Sequence, residues 1–167
     1  ARLDSLVVEY APPLAERVMG EVAVADDLHP EGNVAQVEAG TPTTFVYDIR
    51  TEFSGTGQSG FDAVRVLTPS AGVFRRLEMG EPLAAVTPDS TVEEAGGFAV
   101  YLPERINPDE TQRLRLWLET AVYGAAGEIG AEVFARDGVD LPQGVESGDA
   151  SEDIGTNQLR VVARTSS

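Results

Sequence analysis

The sequence predicts an all-β protein, an antiparallel β-sandwich with an N-terminal extension or additional edge strands. Three observations predict it. Apolar residues recur at every second position in short runs, and long helical stripes are nearly missing. Clusters of glycine, proline, serine and acidic residues separate the runs. The chain has 167 residues, of which 42% are apolar, enough for one ordinary domain with a real core. The whole chain, 1–167, therefore reads as a single domain, with 1–36 an arm or extra edge strands.

In chain order, strands are expected near residues 6–10, 21–25, 43–50, 61–67, 97–102, 112–123, 131–135 and 157–163. In 43–50, Phe45, Tyr47 and Ile49 share one face, and Thr44, Asp48 and Arg50 the other. In the last run Leu159, Val161 and Ala163 oppose Arg160, Val162 and Arg164. One apolar and one polar face marks antiparallel sheets wetted on one side. The turn signals between them are "EAGTP" (38–42), "SGTGQSG" (54–60), "TPSAG" (68–72), "INPDE" (106–110) and "VESGDASEDIG" (145–155). The one helix candidate is "PPLAERVMG" (12–20), where Pro13 suits a first helical position and Gly20 a stop. It spans under two turns and reads nearly as well as an edge strand.

The run "TQRLRLWLETAVYG" (111–124) places Leu114, Leu116 and Leu118 toward a core, and Arg113, Arg115 and Trp117 on the opposite face. Arginine and tryptophan are enriched in interface hot spots, so this face is a candidate partner surface. The competing expectation is a second layer, with a loop over Trp117 and Arg115 stacked on the indole.

Charge excludes several functions. There are 28 acidic and 12 basic residues, a net charge of -16, and every basic residue is arginine. Such a field repels phosphate backbones and anionic lipid, so neither nucleic acid nor charged membrane is the expected partner. Missing lysine fits a GC-rich genome and, in a sharper reading, a high-salt habitat. Without cysteine there is no disulfide, thiolate site or thiol nucleophile. No apolar run approaches the ~18 residues of a membrane span. The chain begins at Ala1, which suits a mature form after cleavage of an export signal; a cut made at that point gives the same start.

Motifs with chemical meaning are weak. "GTGQSG" (55–60) has the G-x-G-x-x-G lettering, but an alternating run ending at Pro69 follows it where a dinucleotide site needs a helix. A glycine-rich hairpin is expected. Ser59 lacks the glycine two positions later that a nucleophile elbow needs. The single histidine, His29, lies in a polar loop. Paired carboxylates (Asp26–Asp27, Glu93–Glu94, Glu152–Asp153) arise by composition in so acidic a chain. "SGDASEDIG" (147–155), with Asp149, Glu152 and Asp153, is the best candidate Ca²⁺ loop, though it lacks EF-hand spacing. No cofactor is expected.

The C-terminal half, on "GFDAVRVLTP" (60–69), "FAVYLPERINPDETQRLRLWLETAVYGAAGEIGAEVF" (98–134) and "LPQGVESGDASEDIGTNQLRV" (141–161), resembles immunoglobulin-like or fibronectin-III-like modules of exported bacterial proteins, over about residues 37–163. The resemblance implies a structural or adhesive role and supplies no catalytic residues. The expectation is a non-enzymatic exported domain, periplasmic or at the cell surface. It would act as an extrinsic subunit holding other proteins of an envelope or membrane-bound assembly. The partner-binding candidates are Arg113, Arg115, Trp117, Tyr101 and Tyr123. The alternative is a carbohydrate-binding module in which Trp117, Tyr101 and Tyr123 form a stacking platform.

Overall fold

A computed structural model describes residues 13–55, 57–109 and 113–165. The strand expected at 6–10 lies outside the described residues. In chain order the strands are β1 (Arg17–Val24), β2 (Ala35–Glu38), β3 (Thr43–Glu52), β4 (Phe61–Leu67), β5 (Val73–Met79), β6 (Ala84–Val86), β7 (Ser90–Glu94), β8 (Gly97–Ile106), β9 (Leu114–Thr120), β10 (Ala126–Glu128), β11 (Gly130–Phe134), β12 (Gln143–Gly144), β13 (Glu146–Ser147) and β14 (Arg160–Arg164). The fold is all-β, as the alternation predicts. No described helix is long and apolar enough to cross a membrane.

Two sheets face each other. The larger has the order β13-β1-β3-β9-β5-β6, the other β12-β11-β4-β8-β7. A third sheet, β10-β14-β2, adjoins them, and β14 runs parallel to β2. Strand alternation decides what lies between the layers. Phe45, Tyr47 and Ile49 of β3 pair with Leu118, Leu116 and Leu114 of β9. They meet Val64 and Val66 of β4 and Phe98, Val100 and Leu102 of β8 in one core, which also takes Ala35, Val37, Val161 and Ala163 from the third sheet. Phe74 meets Phe98 edge to face at 6.0 Å, across the two layers.

Close packing explains two glycines. At Gly20 in β1, a Cβ would come within 2.7 Å of Val145 and 2.8 Å of the Tyr47 ring. At Gly60 the backbone is left-handed (φ 74°), and a Cβ would collide with the Ile106 carbonyl.

Two expectations are corrected. Residues 17–20 do not form a helix. They open β1, which pairs with β3 along its whole length and with β13 on its other side. Val18 and Val22 are buried there, so a period-two face decided what a short helical signal left open. The glycine-rich "SGTGQSG" is not a hairpin. It carries the chain from β3 in the larger sheet to β4 in the facing one. The Gln58 side-chain carbonyl accepts the Ser54 N–H at 2.8 Å and holds that crossing.

Candidate functional site

The arginine and tryptophan face of β9 points away from the core, as alternation requires, but it is not bare. Residues 148–157, most of the connection from β13 to β14, lie over it as a strap. Ile154 of the strap packs with Ala23 and Val46, and Leu28 and Trp117 close around them. This makes a second, small apolar core on the outer side of the larger sheet.

Buried carboxylates hold the strap. Glu21 of β1 is fully buried. It accepts the N–H groups of Ala150 and Ser151 at 2.7 and 2.9 Å and that of Asn157 at 3.0 Å. Burial pushes its carboxyl above the usual carboxylate range, while the three N–H donors pull the other way. Asp48 of β3 takes Arg115 in a two-point grip, Nε at 2.5 Å and Nη2 at 2.8 Å, and accepts the Ser151 hydroxyl at 2.6 Å. Asp153 accepts from Arg113 at 3.0 Å and from Arg115 at 3.1 Å. Hydrogen bonding to Arg113 holds its carboxyl below the ordinary value. Trp117 donates its indole N–H to Glu78 at 2.6 Å, and Arg76 bonds the same carboxylate at 3.0 Å.

The loop over Trp117 is therefore present, but Arg115 is committed to Asp48 and not to the indole. Among the described residues, the cations that lie over rings are on the facing layer: Arg65 over Phe134 at 4.5 Å and, just past β11, Arg136 over Tyr101 at 5.4 Å. Tyr101 sits there on β8, edge to face with Phe134 at 5.8 Å. Tyr123 lies beyond the end of β9 and is 67% exposed. Trp117, Tyr101 and Tyr123 thus occupy two different sheets and a loop and share no platform.

The strap also borders a cleft of about 450 Å³, lined by residues 49–51 of β3, by Glu81 and Arg113, and by strap residues 150–153. Its arginines are engaged: Arg113 also reaches Glu81 at 3.4 Å, and Arg50 pairs with Glu52 at 3.0 Å. Among the described residues no group of three or more acidic or histidine side chains is placed to hold a metal. Of the Ca²⁺ candidates, Asp153 faces two guanidinium groups. The Ser59 hydroxyl bonds Asp140 at 3.2 Å. His29 is exposed and packs beside Gly155, whose missing Cβ leaves room for the ring.

One end of the sandwich differs from all of this. The connections 39–42, 68–72, 95–96 and 121–125 meet there. The Gly40 N–H bonds the Val122 carbonyl at 2.8 Å, and the Thr68 N–H bonds the Gly96 carbonyl at 2.9 Å. The Ser70 hydroxyl bonds the Ala121 carbonyl at 2.7 Å. In a chain of which 24% is charged, none of these loop residues is. Leu67 and Val73, which flank one of the loops, are 46% and 39% exposed, and Tyr123, in another of them beside Gly40, is 67% exposed. Neither a family model nor a curated protein matches this sequence.

Proposed function

We propose that this chain is a non-enzymatic, exported interaction domain, an immunoglobulin-like sandwich that holds another protein within a larger envelope or membrane-bound assembly. The observation that carries the reading is the uncharged end with exposed Tyr123, Leu67 and Val73. Exposed apolar groups gathered on one rigid surface favour a protein contact. The two sheet faces support it by contrast, since their arginines are engaged within the chain. Kinship with exported modules rests on the C-terminal sequence pattern. The groups considered for catalysis support a non-enzymatic role by their separate engagements: Ser59 with Asp140, His29 against Gly155.

Isolation of the native protein under gentle conditions tests this. A stoichiometric companion that survives washing is expected, and a clean monomer speaks against the proposal. The carbohydrate alternative retains Tyr123 as an exposed ring, without the other two beside it. A glycan array with the full chain decides it: binding that Tyr123→Ala abolishes favours it.

A further inference from the structure

We infer that the uncharged end docks a protein of a particular chemistry, one that offers an apolar slot for the Tyr123 ring bordered by lysine or arginine side chains. This rests on the protein-binding reading above and names the surface and the partner's character.

The first argument is rigidity. The four connections are tied to each other by the backbone and hydroxyl hydrogen bonds already described. The Pro69 ring also packs on Gly127, where a Cβ would sit 3.0 Å from it. Gly40 leaves space beside the Tyr123 ring, where a Cβ would come within 3.3 Å. The tyrosine is thus held from one side while two thirds of it stays open. A large ring with few rotatable bonds on a preorganised surface loses little entropy on binding, which is why tyrosine serves so well in loops at the end of a sandwich.

The second argument is the rim. The acidic residues that flank these loops are Asp26 and Asp27, Glu38, Glu93 and Glu94, and Glu119. The basic residues at the same border are Arg75, paired with Glu119 at 3.0 Å, Arg65, paired with Glu94 at 2.8 Å, and Arg164. A neutral centre inside an acidic ring is the usual anatomy of a specific contact, an apolar core with a charged rim. Its complement is a neutral or apolar centre inside a basic ring. A second copy of this chain would bring the same acidic rims face to face, in molecules each carrying -16.

The test uses the full chain in its native cell extract. A benzophenone amino acid replaces Tyr123 and, separately, Leu141, which is 82% exposed at the opposite end, near Ser59 and Asp140. After irradiation, a cross-link from position 123 and not from 141 is expected, to a partner peptide rich in lysine or arginine. With that partner purified, Tyr123→Ala should lower affinity at least tenfold. The double change Glu38→Gln and Glu93→Gln should slow association two- to threefold and flatten its salt dependence, and Leu141→Ala should change neither. A cross-link from 141 alone overturns the surface and leaves the protein-binding reading standing. A cross-link to a second copy, or to an acidic peptide with binding indifferent to salt, overturns the partner chemistry. No cross-linked protein from either position sinks both readings.

Discussion

Arg115 on the larger sheet and Arg65 on the facing one hold the same kind of position. Each lies on an outer face, between two buried apolar neighbours of its own strand: Leu114 and Leu116, Val64 and Val66. Their surroundings differ. Arg65 reaches Glu132 at 2.6 Å on the neighbouring β11 and, across β8, Glu94 at 2.8 Å on β7, and all three side chains remain about a third exposed. Arg115 grips Asp48 beneath the strap, with side-chain exposures of 11% and 3%. An outward position is thus not a surface position until the loops have been placed. The same guanidinium–carboxylate chemistry is worth little in water and is expensive to disrupt once covered.

Asp48→Ala breaks this comparison most sharply. It removes the two-point partner of a covered guanidinium, leaves it only Asp153, and frees the Ser151 hydroxyl, so a loss of about 3 kcal/mol is expected. Urea unfolding at neutral pH measures it, and a change under about 1 kcal/mol would mean that water reaches the pair as freely as it reaches Arg65.

Glu21→Ala comes next. It leaves the buried N–H groups of the strap without their acceptor, and unsatisfied buried donors cost about 1–3 kcal/mol each. A loss of about 3 kcal/mol is expected, together with faster amide hydrogen exchange at Ala150, Ser151 and Asn157. The pH dependence carries a sign. Glu21 binds its proton more tightly folded than unfolded, so its contribution to stability falls as pH rises from 4.5 through the higher folded value. The gap between wild type and Glu21→Ala should narrow over that rise, and a widening gap would contradict the assignment.

Arg65→Ala should stay within about 1 kcal/mol, because its pairs are open to solvent. A loss as large as that of Asp48→Ala would erase the contrast between the faces. Asp153→Asn should have the smallest effect at neutral pH. Its carboxyl is held low by Arg113, so its contribution is present above pH 3.8 and fades as pH falls through the lower folded value. An acid titration of unfolding should lose that limb in the variant. Glu21 beneath the strap and Asp153 within it thus respond to acid with opposite signs.

The legible strands were those with an unbroken apolar face. The run 61–67 coincides with β4, and the inward leucines of β9 follow the alternation. Of the strands that were not foreseen, β2 does alternate, but over only four residues, with Ala35 and Val37 inward; several of the others lack such a face. β5 carries Arg75 and Arg76 in sequence, and its pairing with β9 shifts between Phe74 and Arg76, so period two fails there. All five residues of β7 are exposed, so burial left no mark on its composition. β12 and β13 are two residues each and exist through their partners. At the candidate site, the outward row of Arg113, Arg115 and Trp117 was legible, and so was Tyr123. Glu21 and Asp48 were not singled out, although both stand at outward positions of otherwise apolar strands.

The amino-acid order alone determined the extended segments, which side of each faces inward, the acidity and the absence of thiol chemistry. Those properties depend on neighbours one and two residues away, or on composition. Only the tertiary structure decided that residues 148–157 fold back over β1, β3 and β9, turning an arginine-rich face into a second core. It also decided that four connections far apart in the chain meet at one neutral end. Both outcomes depend on contacts between segments as many as about 130 residues apart, such as Ala150 with Glu21, and no local pattern carries such contacts.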